Sequence, residues 1–295
     1  MNMNLASNIV DLNNQAVGYL FQGNNDGSVS ALGKALSDLQ LYRDVETAAK
    51  AHFQQQQQQH HQQFQNLECP DFQMQDSSPA SGAPLFNNGS NSSDNCGGCA
   101  CPTTTEMPTS SLADKLFGEK VVPAFNNPIR SIPLANPAAE ASESSGRFSV
   151  FSHALTISTN GAQNCEVSHN YQRFLAVILY NMGLSLHLQA LNSGKSMELR
   201  GAQDLYEMSF SVVEQAWHEF DVHDLLLLLM ALFNNLCHIH STNYNVAQTE
   251  TCVDWLKALA AHPTFQSLMG QDLYAPFFMN LLVVLKQQQC CSPAA

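Results

Sequence analysis

Three groups of residues in this chain have side-chain types at a spacing that could do chemistry. Cys96-Gly97-Gly98-Cys99-Ala100-Cys101 carries thiols at metal-ligand spacing. Zinc takes four ligands, and no second pair follows nearby, so the expectation is a free thiol cluster without metal. Cys237-His238-Ile239-His240 offers a thiol and two imidazoles. Residues two apart on a helix point away from one another, which predicts core packing for Cys237 and partial exposure for the histidines. Asp221 and Asp224 flank His223, and a solvated loop with a helix cap accounts for them better than an acid/base pair. His60 and His61 merely interrupt a glutamine tract. There is no nucleophile elbow, phosphate-cradling glycine loop or zinc-helix motif. The chain is expected not to be an enzyme, with no catalytic residues, cofactor or metal.

A different pattern recurs: an asparagine inside an apolar helix. It reads Leu12-Asn13-Asn14-Gln15-Ala16-Val17, then Leu179-Tyr180-Asn181-Met182-Gly183-Leu184, then Phe233-Asn234-Asn235-Leu236-Cys237. A buried amide has donors and an acceptor to satisfy. It can bond a neighbouring helix or turn and order the stack, or it can hold the backbone of an extended peptide. Asn14, Asn181 and Asn235 are therefore the candidate binding residues. One helical turn earlier stand Val10, Val177 and Ala231, none of them cationic. Capture of a carboxylate has little support, and apolar or amide contacts should dominate any groove.

The elements that must position these residues follow from periodicity. Ile9, Leu12, Ala16, Tyr19 and Leu20 have the spacing of an amphipathic helix over 8–22. Gly23 with Asn24, Asn25 and Asp26 turns the chain, and Ala31, Leu32, Ala35, Leu36 and Leu39 resume the pattern, giving a hairpin. Val121 to Phe125 with Ile129 and Ile132, and Phe148 to Ile157, are rich in β-formers and predict a short extended or paired segment. A helix over about 167–191 is apolar on two sides, so neighbours should sandwich it. The helix over 197–220 is one-sided, with Ala202, Tyr206, Ser209, Val213 and Ala216 in line. Leu225 to His240 repeats the buried type and Glu250 to Ala261 the one-sided type. A last helix over 272–286 carries Phe277, Phe278 and Leu281, with Pro276 in its first turn.

Composition divides the chain. The glutamine tract at 54–63 cannot build a packed core, and residues 66–145 are crowded with Ser, Asn, Pro, Gly and Thr, which predicts disorder. The expected organisation is an N-terminal helix hairpin at 1–53, a disordered insert at 54–145, a helical body at 146–289 and a tail at 290–295. Acids outnumber bases 25 to 12, for a formal net charge of −13, and no basic run occurs. That balance argues against a phosphate backbone as partner, so no direct nucleic-acid binding is expected. The N-terminus lacks the charged region and apolar core of a secretory signal, and the longest apolar run, Leu225 to Phe233, is short for a bilayer span. Nine cysteines without such a signal fit a reducing compartment, so cytoplasm or nucleus is the expected location and no membrane contact is expected.

On these residues the chain resembles the tetratricopeptide repeats. Leu12, Ala16, Tyr19, Gly23, Leu32 and Ala35 match one unit. Tyr180 to Gly183 with Ala202, Leu205 and Tyr206 match a second, and Phe233 to Cys237 with Cys252 and Leu256 a third. Loops in the second and third units are longer than the family's tight turn. The resemblance implies an all-α fold, a short array of antiparallel helix hairpins, with small residues Ala16, Gly183 and Cys237 where helices cross. It also implies a non-enzymatic adaptor holding a partner protein or peptide in a groove. An alternative is a transcriptional or RNA-associated regulator that assembles through its glutamine-rich segment.

Overall fold

The computed structural model describes residues 3–65, 129–134, 148–158 and 171–262, together with Phe265, Leu273 and 275–283. Among the described residues the fold is mostly helical, with one two-stranded antiparallel sheet. Helix α1 spans Met3–Phe21 and α2 spans Asn25–Gln65; strands β1 and β2 span Ile129–Pro133 and His153–Ile157. Helices α3 to α6 follow at Tyr171–Ser193, Ser196–Ala216, Val222–Thr242 and Val246–Ala261. Residues 275–283 are helical as well. The metal-spaced cysteines at 96–101, the extended segment at 121–125 and most of the expected disordered insert lie outside the described residues.

Contacts divide the chain into two units, one of residues 1–44 and 108–295, the other of residues 45–107. In the second, α2 continues as helix to Gln65. The hairpin expected to stop at 53 therefore runs on through the glutamines, which lose little side-chain freedom in a helix and are good helix formers. An ion pair one turn apart, between half-buried Glu46 and exposed Lys50, adds to it.

The first unit holds the core. Its hairpins are closed by short turns, including those of the second and third repeat units, where residues 194–195 and 243–245 replace the longer loops expected. Gly23 and Gly194 take the left-handed conformation that ends a helix, at φ 72° and 70°. Asn8 Nδ2 donates to Asp38 at 2.6 Å, tying α1 to α2. Where α3 meets α4 the approach is too close for a side chain. A Cβ on Gly183 would stand 2.8 Å from the Tyr206 ring and 3.3 Å from the Ala202 carbonyl oxygen. Helix α5 is buried along its whole length from Asp224 to His240, because it is apolar all round. By length and composition α3 and α5 could each cross a membrane, but 72% and 89% of their apolar windows are buried within the fold. Helix α4 is one-sided as expected: Ala202, Tyr206, Ser209, Val213 and Ala216 are buried, and it ends in a 3-10 turn at Trp217–Glu219.

Burial corrects two readings. His238 and His240 are 7% and 4% exposed, not partly exposed, since α5 has no solvent face to offer them. Asp221 does cap α5, accepting from the Asp224 N–H at 2.8 Å, but Asp224 itself is fully buried. Its carboxylate pairs with the guanidinium of the buried Arg173 on α3 and accepts from the Ile129 N–H at 2.8 Å. One charge thus joins α3, α5 and the start of β1. β1 itself falls inside the stretch expected to be disordered. Its Ile129 and Ile132 are the β-formers that marked it out, and strand pairing with Ile157 and Ala154 supplies the partner that orders it.

Candidate functional site

The asparagines converge on one object, the extended segment 148–157 that ends in β2. Each acts as a two-pronged clamp on the main chain of a single residue. Asn14 accepts from the Ile157 N–H at 3.2 Å and donates to its carbonyl at 3.1 Å. Asn181 treats Leu155 the same way, at 2.9 and 2.7 Å. Asn235 holds Phe151 at 2.9 and 3.3 Å. A fourth clamp, Asn280 on the segment 275–283, holds Ser149 at 2.9 and 2.7 Å and also accepts from its hydroxyl. The chemistry is that of a carboxamide, whose donor and acceptor sit side by side and so match the N–H and C=O that one residue presents on a strand edge.

Within each helix the residue before the clamp reaches two residues further along the strand. On α1, Asn13 donates to the Leu155 carbonyl at 3.1 Å. On α3, the Tyr180 hydroxyl donates to the His153 carbonyl at 2.9 Å. On α5, Asn234 donates to the Ser149 carbonyl at 3.1 Å. Adjacent helices share the load: Asn181 also donates to the Asn13 oxygen at 2.9 Å, and Asn280 to the Asn234 oxygen at 2.7 Å. The carbonyls of 149, 151, 153, 155 and 157 are thereby all held by helix side chains. The amides form a surrogate strand along one edge.

The other edge belongs to β1, in the register Arg130 to Thr156 and Ile132 to Ala154, extended by the Leu134 N–H donating to the Ser152 carbonyl at 2.9 Å. β1 is itself blunted as an edge: Asp224 occupies the Ile129 N–H, and Pro133 has none to give. Side chains of the segment are buried too, Phe151, Ala154, Leu155 and Ile157 nearly completely. Phe151 stacks on His153 and meets Phe277, with ring centroids 4.3 and 4.4 Å away.

Burial makes these polar groups costly to lose. Asn13, Asn181, Asn234 and Asn235 are fully buried and Asn280 nearly so, whereas Asn14 is only half-buried. Burial raises the Tyr180 and Tyr206 hydroxyls far above their ordinary range, so both stay protonated, and Tyr180 donates to the strand. Tyr206 stands behind the ladder, its hydroxyl accepting from Asn235 at 3.2 Å. Beside it, His187 and His238 meet ring nitrogen to ring nitrogen at 3.0 Å. Desolvation holds His238 down at about 4 and lowers His187 as well, helped by the neighbouring ring, so the pair is neutral. His153 is likewise lowered by burial to about 4.

All three asparagines singled out in the sequence thus act on one segment, and the chain itself supplies the extended peptide. Sequence reasoning missed Asn280, although Phe277-Phe278-Met279-Asn280-Leu281 has the same signature of an amide inside an apolar helix. It also missed Tyr180 as a reader of the strand, and the Arg173–Asp224 pair, whose partners are 51 residues apart. Among the described residues, Asp221, His223 and Asp224 bring their ligand atoms within 4.8 Å of one another. Asp224 is already committed to Arg173 and Ile129, which leaves the donor set incomplete. Cys237 and Cys252 are free, buried thiols, and burial pushes Cys237 up to about 12, well away from a thiolate. No family model, no curated protein and no solved structure matched this chain.

Proposed function

We propose that this protein is a non-enzymatic protein-interaction adaptor, a tetratricopeptide-like array of helix hairpins whose asparagine face takes an extended chain. One observation carries the reading: each helix that reaches the face offers a carboxamide clamp, and successive clamps fall at Ile157, Leu155, Phe151 and Ser149. Such a ladder grips main chain, so it takes an extended peptide whatever its sequence, with the flanking pockets choosing side chains. The segment 148–157 is the occupant built into the chain, and a partner strand enters by taking its place. The absence of cationic residues at Val10, Val177 and Ala231 fits an occupant held by amides and apolar contacts.

The test is a displayed library of extended peptides panned against the full chain and against Asn14→Ala, which leaves the buried clamps in place. Peptides with alternating apolar residues should be enriched on the native chain and weakened on the variant. Failure to enrich any peptide would sink the groove as a partner site. A second reading, assembly through the glutamine-rich segment, draws on the helical state of α2 as far as Gln65. Deleting 54–65 separates the two: an adaptor keeps its partners, while a regulator assembled through that segment dissociates.

A further inference from the structure

Where the ladder ends, at Asn14 and Ile157, a cleft of about 560 Å³ opens between α1 and the sheet. Three features meet in it that the fold itself does not require. Gly18 lies inside α1, where helix propensity disfavours glycine relative to every residue but proline. A Cβ at Gly18 would meet nothing within 4 Å, so no close contact demands its absence. What glycine does there is leave the cleft open. Phe21, on the same wall one turn on, is 60% exposed. Arg130 enters from β1, its backbone fixed by pairing with Thr156, and no carboxylate among the described residues pairs with its guanidinium. Val17 and Ile132 complete an apolar lining, and Asn14 and Gln22 add amides.

We propose that this cleft is a binding site for a small carboxylate with an apolar body, the carboxylate on Arg130 and the body against Val17, Phe21 and Ile132 over the gap left by Gly18. The volume is in the range of small-molecule sites, roughly 300–1,000 Å³. The chemistry follows from the lining: a guanidinium recognises a carboxylate by charge-assisted hydrogen bonds, and the apolar walls gain only from an occupant with matching surface. What singles out Arg130 is its place: a guanidinium that lines an apolar cleft and pairs with no described carboxylate gives an anion bound there a local attraction. The cation arrives on the strand instead of the helix, which is why the residues one turn before the asparagines gave no sign of it. This site does not depend on the peptide reading of the ladder.

The experiment titrates naphthoate, and the uncharged naphthalene methanol of the same shape, into the full chain by calorimetry or ligand-observed NMR. Naphthoate should bind the native chain and lose about tenfold in Arg130→Gln, the factor that one charge-assisted contact at a partly open site supplies. Naphthalene methanol should bind the native chain and Arg130→Gln alike. Gly18→Leu, whose Cβ meets nothing within 4 Å and whose side chain should fill the cleft, should abolish binding of both while the melting temperature holds or rises. The proposal is overturned if the native chain does not bind naphthoate, if Arg130→Gln binds it as well as the native chain does, or if Gly18→Leu leaves binding intact.

Discussion

Asn181 and Asn14 perform the same task two residues apart on one strand, yet in opposite surroundings. Asn181 is fully buried, clamps Leu155 and is braced by Asn13; Asn14 is half-buried, clamps Ile157 and borders the open cleft. Both use the same pair of bonds, longer at Asn14 (3.2 and 3.1 Å) than at Asn181 (2.9 and 2.7 Å), and the larger difference in what they contribute comes from whether water can replace the lost partner. A buried N–H left without an acceptor keeps its full desolvation cost, while one that water can reach recovers most of it. The ladder therefore has a hard interior and a soft end.

Asn181→Ala should be the most damaging change. It orphans the Leu155 N–H and the Asn13 oxygen together, and the expected loss is about 3–5 kcal/mol in urea unfolding. Should Asn14→Ala cost as much, the distinction between interior and end would be wrong.

Acid attacks the interior next. His238 and His153 titrate near 4 in the folded chain and His187 is lowered as well, all below the ordinary histidine value of 6.5. Between those limits the unfolded chain binds protons that the folded chain refuses. This stability is fully present above about pH 6.5 and falls with pH toward 4, by about 1.4 kcal/mol per unit for each such histidine. His223 has the opposite sign, since its contact with Asp224 raises it and so favours the fold below 6.5. The net expectation is a urea midpoint that drops from pH 7 to pH 5, with a shallower drop in His238→Gln. A midpoint indifferent to pH would count against the buried neutral pair.

Asn14→Ala, at the soft end, should cost about 1 kcal/mol, because water from the cleft can serve the freed Ile157 N–H. Amide exchange should then quicken at Ile157 and stay slow at Leu155; equal quickening at both would mean that the clamps act as one unit. Smallest of all, Gly18→Leu should stabilise the chain by up to about 1 kcal/mol through helix propensity alone. A lower melting temperature in that variant would show that the cleft wall cannot take a side chain.

Much of this was legible in the sequence because it is local. Three-and-four spacing gave the helices, Gly23 the turn of the first hairpin, and the repeated amide in an apolar helix marked Asn14, Asn181 and Asn235. The β-formers at 148–157 marked the segment as extended. What could not be read is the meeting of the two: Asn14 and Ile157 are 143 residues apart, and nothing in either neighbourhood names the other. The same holds for Arg173 and Asp224, each of which reads as an ordinary surface charge until the fold buries both. The histidines of α5 misled for a related reason. Spacing on a helix tells which residues share a face, but not how many faces are covered.

The ladder also sets what substitutions the segment 148–157 can accumulate over evolutionary time. Its clamps read the main chain, so drift among side chains of suitable size leaves the ladder in place, apart from the bond that the Ser149 hydroxyl adds to Asn280. Proline is the exception. At 149, 151, 155 or 157 it would remove the N–H that Asn280, Asn235, Asn181 or Asn14 accepts. The recognition carried by these four amides is thus blind to nineteen amino acids and strict toward one, a rule written in the helices rather than in the strand they hold.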